Sequence, residues 1–396
     1  MQAESSTTSP KYLDSETTGN HSSRVSFSVE NAEPAVQKNE SFSLPWLRMQ
    51  LLRLKSGLPV DTNLLPSLTV GMGKLLEKLS TFLDSHRKCR WIAETGEFGE
   101  GKSHFLGLAK YIAYSKGWAV CYLVANTTDG SLAQPQRHLQ FALDTVGSPN
   151  GCGIGIVELF GEWWEGPLRP EILRWAETNS AVRPLARDLI LLEKRLIDFS
   201  SLVEFLGAKI LGARTNNPLY RRAAWHHLAQ ITELLRTTGH KGLVLLIDEV
   251  ESIFRLATSQ SWTAAMRCLG TYCCFPLLGN LLIIFVLTPQ ARQEIEMELP
   301  RIIREVEYQV TTPEEEKVAL RSFAEELKRF GWSACPRLNG GQQIELALRI
   351  IDLHQRANKS KAPMSLSPRM RSWLSGTDTN IRYAVRTILG WLDSYT

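Results

Sequence analysis

The chain has no long hydrophobic run. Its apolar stretches, such as Leu243 to Ile247 and Leu281 to Leu287, are strand-length and far short of the roughly 20 residues that span a bilayer, so no membrane-spanning helix is expected. Its seven cysteines are an odd number and lack CxxC or Cys/His spacing, which argues against a disulfide framework and against structural zinc; a reducing cytosol fits best, and a cytoplasmic location is expected. Charge of one sign is also scarce: a net +4 over 396 residues is compatible with nucleic-acid binding but does not establish it. The first residues lack the apolar segment of a secretory signal and are crowded with Ser, Thr, Glu and Asn, so residues 1–44 read as a disordered tail.

The chain does have an ordinary apolar share, 43%, enough for a sizeable core. Pro45 to Leu54 carries helical spacing, Leu64 to Val70 reads as an extended approach, and Met72 to His86 reads as a helix through Leu75, Leu76, Leu79 and Leu83. A short strand, Trp91 to Ala93, a glycine-rich segment and a second helix follow, then a strand at Ala119 to Val124. Residues 134–240 are mostly helical and look like an insertion between sheet strands. The nearly all-apolar Leu243 to Ile247 and Leu281 to Leu287 suit parallel strands covered on both faces. Beyond Pro300 helices dominate: Thr312 is a candidate N-cap with Glu315 completing a capping box, and Gln342 to Gln355 and Ile381 to Leu392 keep helical spacing. The expected fold is α/β, a parallel sheet flanked by helices over residues 45–300, followed by a small all-α lid over 301–396.

Gly96-Glu97-Phe98-Gly99-Glu100-Gly101-Lys102-Ser103 matches G-x-x-x-x-G-K-[ST] between a predicted strand and a predicted helix. Glycines let backbone N–H groups turn toward phosphates, and the helix start adds its positive dipole end. Lys102 neutralises the β/γ-phosphates and the Ser103 hydroxyl ligates magnesium. The expected nucleotide-binding set runs from Gly96 through His104, with ATP and Mg2+ as ligands. The bland alternative is a glycine turn that caps a helix.

The strand ending in Asp248 and Glu249 would deliver two carboxylates to its C-terminal edge, Asp248 holding magnesium through water and Glu249 orienting and deprotonating the attacking water. Thr288, at the end of the other apolar strand, either senses the γ-phosphate or merely starts the turn at Pro289. Arg301 and Arg304 stand where an arginine finger would reach a neighbouring subunit, or are ordinary solvated arginines. Glu251 and Arg255, four apart, read as a surface pair without chemistry. Arg382 and Arg386 share one helix face; Arg382 on a lid helix aimed at the phosphates is one reading, a basic solvated face or DNA contact the other. From Arg337 onward, nine Lys/Arg face four Asp/Glu.

Weaker signals are set aside. Gly151, Gly153 and Gly155 lack strand-turn-helix context, His226 and His227 lack metal spacing and read as partly exposed helix residues, and core packing accounts for tryptophans such as Trp91, Trp225 and Trp391.

Gly96 to Leu106 (GEFGEGKSHFL), Lys241 to Ile253 (KGLVLLIDEVESI) and Asn380 to Asp393 together resemble the AAA+ class, whose lid domain often carries a sensor arginine. More narrowly, the GxxGxGKSHFL string, Leu68-Thr69-Val70-Gly71 and the strand into Asp248-Glu249 resemble the BREX phage-exclusion ATP-binding protein family. Met72 stands where that family usually has Arg. The resemblance implies a bacterial or archaeal antiviral-defence ATPase acting on DNA alongside a helicase or other defence proteins. Two functional readings remain: a homo-oligomeric mechanoenzyme or loader that couples ATP hydrolysis to remodelling of a DNA-associated partner, or a nucleotide-gated switch with slow turnover. A small-molecule kinase is a third and weaker reading.

Overall fold

The computed structural model describes residues 42–84, 91–125, 132–149, 154–206, 218–256, 258–330, 332–359, 365–376 and 380–395. The expected N-terminal tail, Cys89, Cys152, Gly151 and Gly153 lie outside them, apart from the tail's last three residues. Helices α1 (Leu44–Ser56), α2 (Leu65–Leu68) and α3 (Gly73–Asp84) lead into β1 (Trp91–Thr95), α4 (Lys102–Ser115) and β2 (Ala119–Val124). Where an extended approach was expected, Leu65–Leu68 makes one helical turn: Pro66 presets φ near its start, and Thr69 Oγ1 donates to Leu65 O at 2.7 Å.

Between β2 and β3 (Leu243–Asp248) run α5 (Pro135–Asp144), α6 (Ile156–Glu165), α7 (Arg169–Asn179), α8 (Pro184–Glu193), α9 (Phe199–Leu206) and α10 (Pro218–Thr237). A 3₁₀ turn at Val250–Arg255, α11 (Ser259–Cys274), β4 (Leu281–Leu287), α12 (Pro289–Tyr308) and α13 (Glu314–Phe330) follow. The chain ends through β5 (Ser333–Ala334), α14 (Gly340–Asn358), α15 (Pro368–Gly376) and α16 (Ile381–Asp393).

The sheet is parallel throughout, in the order β2-β3-β4-β1-β5. All five strands therefore end on the same edge, with β4 between the strand that feeds the glycine-rich loop and the strand that ends in Asp248. Period-two alternation divides the sheet between two cores. Leu243, Leu245, Ile247, Ile283 and Phe285 face one cluster with α5, α10, α11 and α13, whereas Val244, Leu246, Ile284 and Val286 face a second with α3 and α4. Burial on both faces explains why β3 and β4 contain almost no polar residue.

A third cluster joins α1 and α2 to α14, α15 and α16 through Leu47, Leu51, Ile350, Leu353, Ile388 and Leu392. The C-terminal helices thus share their apolar face with α1 and α2. Helix α12 runs through Pro300, so the boundary expected at 300/301 falls inside it. Helix α13 packs in the first cluster with the sheet through Ala319, Leu320 and Phe323.

The capping box expected at Thr312 and Glu315 is not formed. Thr312 Oγ1 donates to Gln309 Oε1 at 3.1 Å and accepts from Arg267 Nη1 at 3.1 Å, while Glu315 pairs with Arg222 at 2.7 Å. The hydroxyl instead joins a buried polar cluster around the Arg267 guanidinium, which also meets Gln309 at 3.2 Å and Glu316 at 3.1 Å. The capping box appears instead at α14, where Asn339 and Gln342 satisfy each other's backbone N–H groups. His227 is buried rather than partly exposed. Trp91 and Trp225 are core residues, as expected.

Candidate functional site

The chain leaves β1 with Gly96 N donating to Leu287 O at 3.1 Å, so the glycine-rich segment starts pinned to the end of β4. Gly99 and Gly101 then take φ +85° and +97°, the left-handed region in which a side chain would be strained. Glu100 Oε2 accepts from Glu97 N at 2.7 Å, and Glu100 Oε1 pairs with Arg337 at 2.6 Å, tethering the loop to the segment after β5. Gly101 is the N-cap of α4, and Phe105 N donates back to Gly101 O at 2.8 Å. Lys102 and Ser103 therefore occupy the first turn, where helical N–H groups lack intrahelical partners.

Ser103 Oγ donates to Asp248 Oδ2 at 2.7 Å, bringing the loop and the strand end together. Tyr122, on neighbouring β2, donates its hydroxyl to the same oxygen at 2.8 Å. Burial first, and then the Asp248 charge, push that phenol far up in pKa, so it remains a donor. Asp248 Oδ1 accepts from Glu249 N at 2.9 Å. Asp248 is buried, whereas Glu249 is exposed and held at φ 55°, ψ 38°. That left-handed conformation is costly for a residue with a side chain and turns the carboxylate outward, away from the strand direction.

Lys102 is buried. Its Nζ donates to Gly96 O at 2.9 Å, lies 4.7 Å from the centre of the exposed Phe98 ring and stands 3.5 Å from Glu251 Oε1. Glu251 is buried too, which corrects its reading as a surface partner of Arg255. A 3₁₀ turn has three residues per turn, so positions four apart do not stack as they do on an α-helix; Arg255 is exposed. Burial pushes the Glu251 carboxyl up in pKa, against its own backbone N–H and Lys102, which lower it; Asp248 adds to the rise.

Thr288 is the N-cap of α12 and accepts from Ala291 N at 3.2 Å. It is buried at the end of β4, one strand from both Thr95 and Asp248. His104 Nε2 lies 3.0 Å from Thr69 Oγ1, and burial lowers its pKa to about 4. His104 thus tethers α4 to the segment after α2.

Arg301 is spent on its own helix, bonded to Glu298 at 2.7 Å and Glu305 at 3.0 Å, while Arg304 is exposed. Arg382 lies against Gly57 at the C-terminal end of α1, where Arg386 Nη2 donates to Ser56 O at 3.0 Å. Both cations there complement the negative end of a helix dipole. Asn380, the N-cap of α16, meets the loop: its Nδ2 donates to Phe98 O. Among the described residues no contact joins Arg382 to Lys102 or Ser103.

Tyr122, Glu251 and Asn380 were not singled out by sequence for these places. Tyr122 had one usable signal, a polar aromatic on the strand that pairs with β3, two positions before Val124, which lies opposite Asp248.

Fold and site together define an α/β protein with a parallel sheet. A glycine-rich loop and an acidic strand end meet at the sheet's C-terminal edge. Residues 213–285 match the family model described as BREX system ATP-binding protein BrxC/D, which bears out the family resemblance. The matched segment contains β3, Asp248, Glu249 and most of β4, and ends before Thr288. No curated protein and no solved structure matches the chain. Among the described residues no helix is long and apolar enough to cross a membrane.

Proposed function

We propose that this chain is a P-loop ATPase of the AAA+ type that binds ATP and magnesium at Gly96 to His104 and hydrolyses ATP. The observation that carries the reading is the 2.7 Å bond between Ser103 and Asp248 beside Lys102, at the carboxyl edge of a parallel sheet, where such folds bind ligands.

The residues fit magnesium nucleotide. Ser103 and Asp248 offer hard oxygen donors suited to magnesium, and the left-handed Gly101 leads directly into the unpartnered N–H groups of the first turn of α4, which suit phosphate. Ser103 directly and Asp248 through water would hold the metal, which when bound neutralises phosphate charge. Lys102 binds the β- and γ-phosphates. Glu249, turned outward at the same edge, takes a proton from the attacking water, and Thr288 lies one strand away to orient it.

The coupled process is remodelling or loading of a DNA-associated partner in BREX-like antiviral defence, carried out by a homo-oligomer alongside a helicase or other defence protein. The family match and the basic C-terminal segment support that assignment. Residues from Arg337 on form the lid, with Asn380 reaching the loop.

ATPase rate and particle mass, measured together with and without DNA for wild type and Glu249→Gln, test the proposal. Hydrolysis by a DNA-stimulated oligomer, abolished by Glu249→Gln, is expected. A DNA-indifferent monomer would remove the loader.

A further inference from the structure

Glu251 has no role in the scheme above, yet its carboxylate is buried beside the phosphate-binding lysine. The Glu251 and Lys102 side chains are 9% and 8% exposed, and their charged atoms are 3.5 Å apart. Beyond its own backbone N–H and Lys102, neither Glu251 oxygen has a hydrogen-bond partner among the described residues. An ion pair so buried and so poorly hydrogen-bonded barely offsets its own desolvation, and an apolar residue would serve stability as well. Its geometry serves something else.

Glu251 is carried on a short 3₁₀ turn that begins directly after the left-handed Glu249. It faces Lys102 from the side of β3, while Gly96 O holds the lysine from the side of β1. Phosphate arriving at Lys102 brings negative charge against a carboxylate whose other favourable contact is its own backbone N–H.

We propose that Glu251 is a positioning residue that competes with nucleotide phosphate for Lys102, so that nucleotide binding breaks the Glu251–Lys102 pair and Glu251 sets how tightly the site holds its ligand. The inference rests on the nucleotide reading of the site. Lys102 exchanges one anionic partner for another, and the released carboxylate lies close to Asp248 and the start of the 3₁₀ turn. Occupancy of the loop is thereby coupled to the segment that carries Glu249.

Equilibrium binding of a fluorescent, non-hydrolysable ATP analogue with magnesium to the full chain tests this, alongside steady-state turnover. Glu251→Gln, close in shape but uncharged, is expected to tighten binding about tenfold and to lower KM while kcat stays within about threefold. Glu251→Asp, which keeps the charge but shortens its reach, should tighten binding less. The gain should vanish when Lys102→Ala is already present, because the two residues act through one contact.

A folded Glu251→Gln protein with unchanged or weaker affinity overturns the inference, as does lost turnover at unchanged affinity, which would make Glu251 part of the chemistry. If Glu251→Gln does not fold, Glu251→Asp decides by the same comparison. Wild type that binds and Lys102→Ala that does not, with Glu251 variants unchanged, leaves the nucleotide site standing and removes only Glu251's role. Wild type that binds no nucleotide removes both.

Discussion

Tyr122 and Ser103 donate to the same carboxylate oxygen of Asp248, at 2.8 and 2.7 Å, from two different elements of the fold. Asp248 is thus fixed from β2 and from α4 at once, and its Oδ1 is taken by Glu249 N. Supporting bonds of this kind commonly hold a ligating carboxylate in one orientation. Tyr122→Phe should therefore cost about 1 kcal/mol of stability and lower turnover roughly 10-fold, with a weaker apparent affinity for magnesium. Magnesium titrations of ATPase rate, with a denaturant melt as control, check this; an unchanged magnesium dependence would show that the tyrosine only fills space.

Glu249 combines exposure with a left-handed backbone. Two substitutions separate its chemical and conformational parts. Glu249→Gln keeps the strain and removes the proposed base, so nucleotide should bind and remain, with turnover down at least about 100-fold. Glu249→Gly also removes the base but relieves the backbone, and should raise stability by about 1 kcal/mol. Normal hydrolysis by Glu249→Gln would reassign the base.

What was legible in the sequence is what is local. The glycine-rich string is contiguous, and β2, β3 and β4 are bounded almost to the residue because a strand covered on both faces must be apolar along its length. What was not legible depends on register and competition across the fold. β5 is two residues long and carries no pattern, yet Cys335 N donates to Thr95 O at 2.7 Å and extends the sheet beside the loop. Glu251 reads in sequence as half of a surface pair because its spacing from Arg255 suits an α-helix, whereas the backbone there makes a 3₁₀ turn. Arg382 shares a face with Arg386, as its spacing implied, but α1 lies under that face, and Asn380 meets Phe98 instead.

His138 is fully buried, with Nδ1 2.9 Å from the Tyr272 hydroxyl, and burial lowers its pKa from 6.5 to about 3. In the unfolded chain the same imidazole takes up its proton near pH 6.5. Between those values the unfolded state binds more protons, so stability is intact above about pH 6.5 and is lost as pH falls toward 3. The limiting slope is about 1.4 kcal/mol per pH unit for each such histidine. Urea melts at pH 7, 6 and 5 should show the loss, and His138→Gln, whatever its stability at pH 7, should flatten it. Equal slopes in the two proteins would place the titrating groups elsewhere.

Asn380 does two things with one amide. Its Oδ1 accepts from Arg382 N at 3.0 Å and starts α16, while its Nδ2 donates to Phe98 O at the tip of the glycine-rich loop. Gly99 leaves room for this approach, since a Cβ there would run into the Asn380 amide. Asn380→Ala loses both bonds; Asn380→Asp keeps an acceptor for the helix and loses the donor to the loop. The alanine variant should be about 1 kcal/mol less stable, and the aspartate variant close to wild type. Both should release bound nucleotide faster, several-fold by the weight of one hydrogen bond. Melting temperature and stopped-flow nucleotide dissociation read the two effects separately. If Asn380→Asp releases nucleotide at the wild-type rate, the amide serves only as a helix cap, and the link between α16 and the loop must be carried by another contact.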